Sequence, residues 1–222
     1  SILLLTLIMV SSCKDKVFSK FMANVPIYMD YETFRNSVLY ENSRAIQVPG
    51  NIYKKDDYLL IVEQDQGIHF INNANPASPE QMGFLKILGC SGVAIKGNFL
   101  YANSFIDLVV IDLGSWTNPK EVARVQDIFH QALPEYDPKY RLAQIDFSRG
   151  VVVGWKIERV KEETYNNGCA DCYTFACEVV MNSSSPNSSG NVGISGSITK
   201  FSVIQNHLYV MDGNNLHPIQ IA

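Results

Sequence analysis

A period of forty residues constrains this chain more than any other feature in it. Tyr58–Ile87, "YLLIVEQDQGIHFINNANPASPEQMGFLKI", aligns with Phe99–Ile128, "FLYANSFIDLVVIDLGSWTNPKEVARVQDI". Pro79 falls on Pro119, Ile71 on Ile111 and Met82 on Val122, with one residue dropped in the turn between the first two strands. A third copy opens at Asn206–Ile221, "NHLYVMDGNNLHPIQI". A repeat of this length is a supersecondary unit that cannot bury its apolar surface alone and has to stack on its neighbours.

Inside each copy the pattern is one of short strands. In the second, Gly92–Lys96, Phe99–Ala102, Leu108–Leu113 and Glu121–Val125 are rich in β-branched, aliphatic and aromatic residues. Gly97-Asn98, Ser104–Asp107 and Gly114–Pro119 separate them with turn chemistry. Both prolines stand in the loop before the last strand, where no ladder donor is lost. Four strands in about 40 residues without helical periodicity predict an all-β chain built from β-propeller blades. About three such blades fit into residues 45–222, interrupted by an insertion at about 150–197.

The first residues, "SILLLTLIMVSSCKDK", carry a different signal. Ile2–Val10 is apolar except for Thr6, too short to span a bilayer but suited to the apolar core of a signal peptide. Val10-Ser11-Ser12-Cys13 looks like a bacterial lipobox, in which Cys13 becomes the acylated N-terminus. Residues 1–12 are therefore expected to belong to a signal peptide, and 13–44 to a lipid-anchored tether and N-terminal segment. Two or more acyl chains make such attachment stable. Lys14 directly after the cysteine points to the outer membrane or cell surface. Lys14–Asn24 reads as a polar tether, and Tyr31–Leu39 as a short helix capped by Asp30.

Composition narrows the partners. With 46% hydrophobic and 18% charged residues the chain is globular rather than disordered. Its formal charge of −4 and its scattered Lys and Arg residues argue against nucleic acid.

The unit "LVVID" (Leu108–Asp112) with "NPKEV" (Asn118–Val122) resembles the LVIVD repeat of bacterial surface lipoproteins, a propeller family of unassigned function. The resemblance extends to "VPIYMDYETFRNSV" (Val25–Val38) and "IQVPGNIYKKDDYLLIVEQDQGIHFIN" (Ile46–Asn72), and covers most of Val25–Val125, then Gly150–Val160 and Gly196–Ile221. It implies further blades, so that this chain would be an N-terminal part of a longer propeller.

Beyond the repeats, Ile128–Pro138 reads as a loop with a short helix before Pro134, and Arg141–Val160 as two strands, the second unusually long. Next come a cysteine-bearing stretch and the tract Asn182–Ser197, too polar to pack. Cys169, Cys172 and Cys177 form C-x2-C-x4-C, and Cys90 is the remaining cysteine besides Cys13. Outside the inner membrane a structural disulfide is the default. A zinc site needs a fourth ligand that His69, His130, His207 and His217 do not supply by spacing, and the pairing stays open. Asp65-Gln66-Gly67 and Asp212-Gly213-Asn214 lack the spaced carboxylates of a calcium loop and read as turns. Glu162-Glu163 and Glu135 with Asp137 read as solvated surface. Trp116, Tyr136, Tyr165 and Tyr173 are candidates for an exposed binding surface, whereas Trp155 reads as core. Asn103 and Met211 stand near equivalent strand ends, and neither suggests a metal.

No catalytic or phosphate-binding motif is present, and no cofactor is implied. The expected role is a lipid-anchored envelope propeller that binds or assembles, its partner another envelope protein or a glycan. The alternatives are a propeller enzyme, lactonase- or quinoprotein-like, with a central-channel site, and a passive structural surface protein.

Overall fold

The computed structural model describes residues 16–129, 132–165, 201–212 and 215–221. Cys13, Cys169, Cys172, Cys177, Tyr173, His130 and the tract 182–197 lie outside them. The described chain is almost entirely antiparallel β, with one short helix, α1 (Tyr31–Arg35), and one 3-10 turn (Phe147–Arg149).

The second repeat folds as a four-stranded meander of β7 (Val93–Lys96), β8 (Phe99–Ser104), β9 (Asp107–Asp112) and β10 (Lys120–Val125), in the order β10-β9-β8-β7. The first repeat has the same path through β3 (Pro49–Lys55), β4 (Tyr58–Glu63), β5 (Gly67–Asn72) and β6 (Glu80–Lys86), with β2 (Leu39–Glu41) added outside β6. The third contributes β13 (Phe201–Ile204), β14 (His207–Asp212) and β15 (Asn215–Gln220).

The copies match residue by residue. The two-residue turn that joins β3 to β4, β7 to β8 and β13 to β14 holds a positive φ in each copy, at Asp56 (52°), Gly97 (55°) and Gln205 (53°), as a two-residue hairpin demands. The neighbouring carbonyl accepts from the chain beyond the third strand each time: Asn73 N to Asp57 O at 2.7 Å, Leu113 N to Asn98 O at 2.7 Å and Ile221 N to Asn206 O at 2.9 Å. After the third strand, the Asn72 and Asp112 Oδ1 atoms accept from the Ala74 and Gly114 amides. This side-chain turn delivers the chain to Pro79 and Pro119. Opposite the third strand, Met82 and Val122 are each the extra residue of a β-bulge.

Alternation assigns the faces. In the second sheet Leu100, Ala102, Val109 and Ile111 pack on Leu60, Val62, Ile68 and Phe70 of the first. Its opposite-parity residues Tyr101, Leu108 and Val110 pack on Phe201, Leu208, Val210 and Ile219. The middle sheet is thus buried on both sides, and each sheet turns its equivalent face toward the next one. The first sheet's remaining face, with Ile61, His69 and Phe84, is closed by the segment before β3, where the Arg44 guanidinium lies 3.6 Å from the Phe84 ring centre.

Two parts of the chain differ from expectation. Residues 16–29, read as largely tether, form the long strand β1 (Lys16–Met29). It pairs antiparallel with β12 (Val151–Tyr165) from Lys16 opposite Tyr165 to Met29 opposite Val151. The long strand after the 3-10 turn therefore finds its partner at the other end of the chain. "RLAQIDF" gives only the two-residue β11 (Arg141–Leu142), parallel to β1, and no helix precedes Pro134 among the described residues. Helix α1 is capped as expected, Asp30 Oδ1 accepting from Thr33 N at 2.8 Å, but ends at Arg35 because Leu39 enters β2. Its Phe34 joins Phe105, Val151, Met29 and Leu88 in a small core beneath the ribbon.

Gly150 sets the base of that ribbon, with φ 125° and a Cβ position blocked by the Met29 carbonyl. Gly150→Ala is expected to lower stability by about 2 kcal/mol. Urea denaturation checks this.

Candidate functional site

At the end of the sheets carrying the β4–β5 and β8–β9 turns, the structure holds a groove of about 540 Å³. The start of β3 (Gly50, Asn51), the β4–β5 turn (Gln64, Asp65), the connection into β7 (Gly89, Ser91) and the end of β8 (Asn103) line it, with Leu133 and Glu135 from the following loop. Its floor is rigid. Asn103, 3% exposed, accepts through Oδ1 from the Ser91 and Gly92 amides at 3.0 and 3.1 Å, and donates through Nδ2 to the Gly89 carbonyl at 2.5 Å. Gly89 N donates to the Asp65 carbonyl at 2.9 Å, and Asp65 N to the Cys90 carbonyl at 2.8 Å. The β4–β5 turn needs its left-handed residue at Asp65, φ 59°. The side chains supply the amides of Asn51, Gln64 and Asn103, the Ser91 hydroxyl and the carboxylates of Asp65 and Glu135, while no Lys or Arg lines the groove.

Two charged networks lie elsewhere. Asp107, fully buried, accepts from Arg35 Nε at 3.1 Å, Arg124 Nη1 at 3.0 Å and the Asp127 amide at 2.9 Å. Arg124 also grips Glu121 through two bonds of 2.8 Å. Arg35, Glu121 and Arg124 wall a shallower cavity of about 370 Å³ with Asn36 and Val122. On the outer face of the first sheet, Glu63 meets Arg44 Nη2 at 2.7 Å, His69 Nε2 at 2.9 Å and the Gln47 and Val48 amides. Burial alone would raise the Glu63 carboxyl. The hydrogen bonds from Arg44, His69, Gln47 and Val48 outweigh it together and hold the pKa down, from the usual 4.5 to about 2.

The residues singled out in sequence fall in several places. Trp116 packs on the core rather than standing free: its ring stacks on Tyr58 of the first sheet, 4.0 Å between centroids at 13°, and meets Phe70 edge-on. Tyr136 is exposed beside groove residue Glu135, its ring edge-on to Trp155. Trp155 is half-buried, donating Nε1–H to the Pro134 carbonyl at 2.9 Å. Cys90 is buried in the first core, its Sγ 4.0 Å from the Gly92 carbonyl. Tyr165 ends β12. Asp65 and Gly67 form a turn as expected, and Asn103 is occupied in holding the connection.

Sequence reading passed over Glu63 and Asp107. Their signal was positional, since each is a charge abutting an apolar run, "LLIVE" and "DLVVI", where the alternation brings it inside.

A family model of the LVIVD repeat matches residues 90–127, which spans the whole second sheet. No curated protein and no solved structure matches the chain.

Proposed function

We propose that this chain is the blade-bearing part of a β-propeller, held at the bacterial envelope by lipid on Cys13 and serving as a binding module. One observation carries the propeller reading: the three sheets stack in sequence order, each offering the same face to the next. That head-to-tail relation is heterologous, the kind of contact that builds a ring when the rotation from one sheet to the next closes. The LVIVD repeat supports the family placement, and the lipobox-like Val10–Cys13 supports the address.

Binding is assigned to the polar groove at the β4–β5 and β8–β9 turns, because loops on a rigid scaffold are where a repeat fold can vary its surface. Its amides, one hydroxyl and two carboxylates suit a neutral or cationic polar partner, a glycan or the loop of another envelope protein.

Two experiments test the reading. With Cys13→Ala, metabolic labelling by radioactive palmitate should disappear; unchanged labelling removes the anchor. A photoreactive residue at Glu135 should give an adduct in whole cells that the same residue at Val122, on the bulge, does not. Equal yields at both positions would remove the groove from consideration.

A further inference from the structure

The β1–β12 ribbon presents two different faces. Cross-strand pairing puts Lys20 opposite Lys161, Met22 opposite Arg159 and Asn24 opposite Ile157, so these residues share one side with Phe18. The other side carries Glu158, Glu162, Phe21 and Lys156. There the charges are matched, with Arg141 bonding Glu162 at 3.0 Å while lying 3.2 Å from the Phe21 ring centre, and Lys156 bonding Glu158 at 2.9 Å. On the first side, Lys20, Arg159 and Lys161 are exposed and bridge no described carboxylate. Phe18, Met22 and Ile157 are exposed among them, 48%, 40% and 45%. Lys161 Nζ lies 3.6 Å from the Phe18 ring centre. In the strand register Glu163 pairs with Phe18 at the tip. Two lysines directly opposite on one face repel each other, a cost that an anionic partner removes.

We infer that this face of the ribbon rests on an anionic lipid surface, with Lys20, Arg159 and Lys161 at the headgroup phosphates and Phe18 and Met22 at the interface. Cations with apolar side chains between them are what an interfacial element requires. Location agrees with chemistry. Cys13 precedes Lys16 by three residues, so acyl chains there would hold the ribbon tip within about 10 Å of the bilayer, inside the reach of its surface charge at physiological salt. The inference rests on the lipid-anchor reading for this placement. The strand register also brings Tyr165, the last residue of β12, opposite Lys16 at this tip.

The test uses the full chain as Cys13→Ala, sedimented with vesicles of phosphatidylcholine alone or mixed with phosphatidylglycerol. The mixed vesicles should be bound more tightly, in a salt-sensitive manner. Combining Lys20→Gln, Arg159→Gln and Lys161→Gln should weaken that binding by on the order of a hundredfold. The charge-keeping combination Lys20→Arg, Arg159→Lys and Lys161→Arg should retain it, which separates lost charge from lost fold. Equal binding to both vesicles, or by the neutralised and parent chains, overturns the inference. Palmitate labelling of unsubstituted Cys13 reads the anchor separately: absent labelling with charge-dependent vesicle binding removes the anchor alone, and labelling without that binding removes the ribbon surface alone.

Discussion

Replacing Asp107 with alanine is expected to lower stability by about 3–5 kcal/mol, because it strands charges that the fold has taken out of water. Arg124 is 8% exposed at its side chain and Asp107 not at all. Without the carboxylate, Arg124 keeps Glu121 and the Arg35 carbonyl, Arg35 keeps the exposed Asp127 as its remaining ion pair, and the Asp127 amide loses its acceptor. In a chain of this size such a loss lowers the melting temperature by about 10 °C, which calorimetry would resolve. Arg141→Ala is the built-in contrast. Its pair with Glu162 is about half exposed on both sides, 53% and 52%, and a bridge of that kind contributes about 0–1 kcal/mol. Similar losses in the two variants would mean that the buried network does not anchor α1 to the second sheet. The first sheet has Gly67 where the second has Asp107, so the network belongs to this sheet and to its contact with α1, not to the repeat.

The second large effect is acid sensitivity. The Glu63 carboxyl has its pKa lowered from 4.5 to about 2 in the folded protein, so the fold favours the ionised form. The resulting stability is complete above the unfolded pKa, near pH 4.5, and is lost as pH falls toward 2. Its size, from the shift and about 1.4 kcal/mol per pKa unit, is on the order of 3 kcal/mol. Glu63→Gln should therefore be less stable than the parent near neutrality, and the two should converge as pH approaches 2. Urea midpoints across that range measure the gap. A gap independent of pH would place the effect in packing around Phe84 and Arg44 instead. Asp30 and Asp146, also lowered by the amides and hydroxyls they accept from, are common to both proteins and cancel in the comparison.

How much of this was readable in advance depended on how local the cause was. The strands of the second repeat fall within about two residues of their expected ends. Alternation, the Gly97-Asn98 turn and the Pro119 corner are all fixed by near neighbours. Strand β1 was not legible because its partner lies more than a hundred residues away and most of its outer half packs on no core, so the buried-face alternation that betrays a strand is weak there. The packing of Trp116 was hidden for a related reason. Its loop is exposed in one repeat considered alone, and the partner that covers it, Tyr58, belongs to the sheet before. The groove could not be seen at all, since its walls come from the start of β3, two turns and two connections that only stacking brings together.

The bulges at Met82 and Val122 have a wider meaning for the repeat. In a regular strand, residues three apart point to opposite faces. The bulge works as a half-period phase shift, so Glu121 and Arg124 emerge on one side, opposite Ile111 and Val109, and can meet as an ion pair. Forty residues earlier the same slot holds Gln81 and Phe84, again brought to one side opposite Ile71 and His69. The backbone irregularity is thus a reusable socket for two side chains. One copy fills it with charges that lock onto α1, and the other with a ring on which Arg44 and His69 rest.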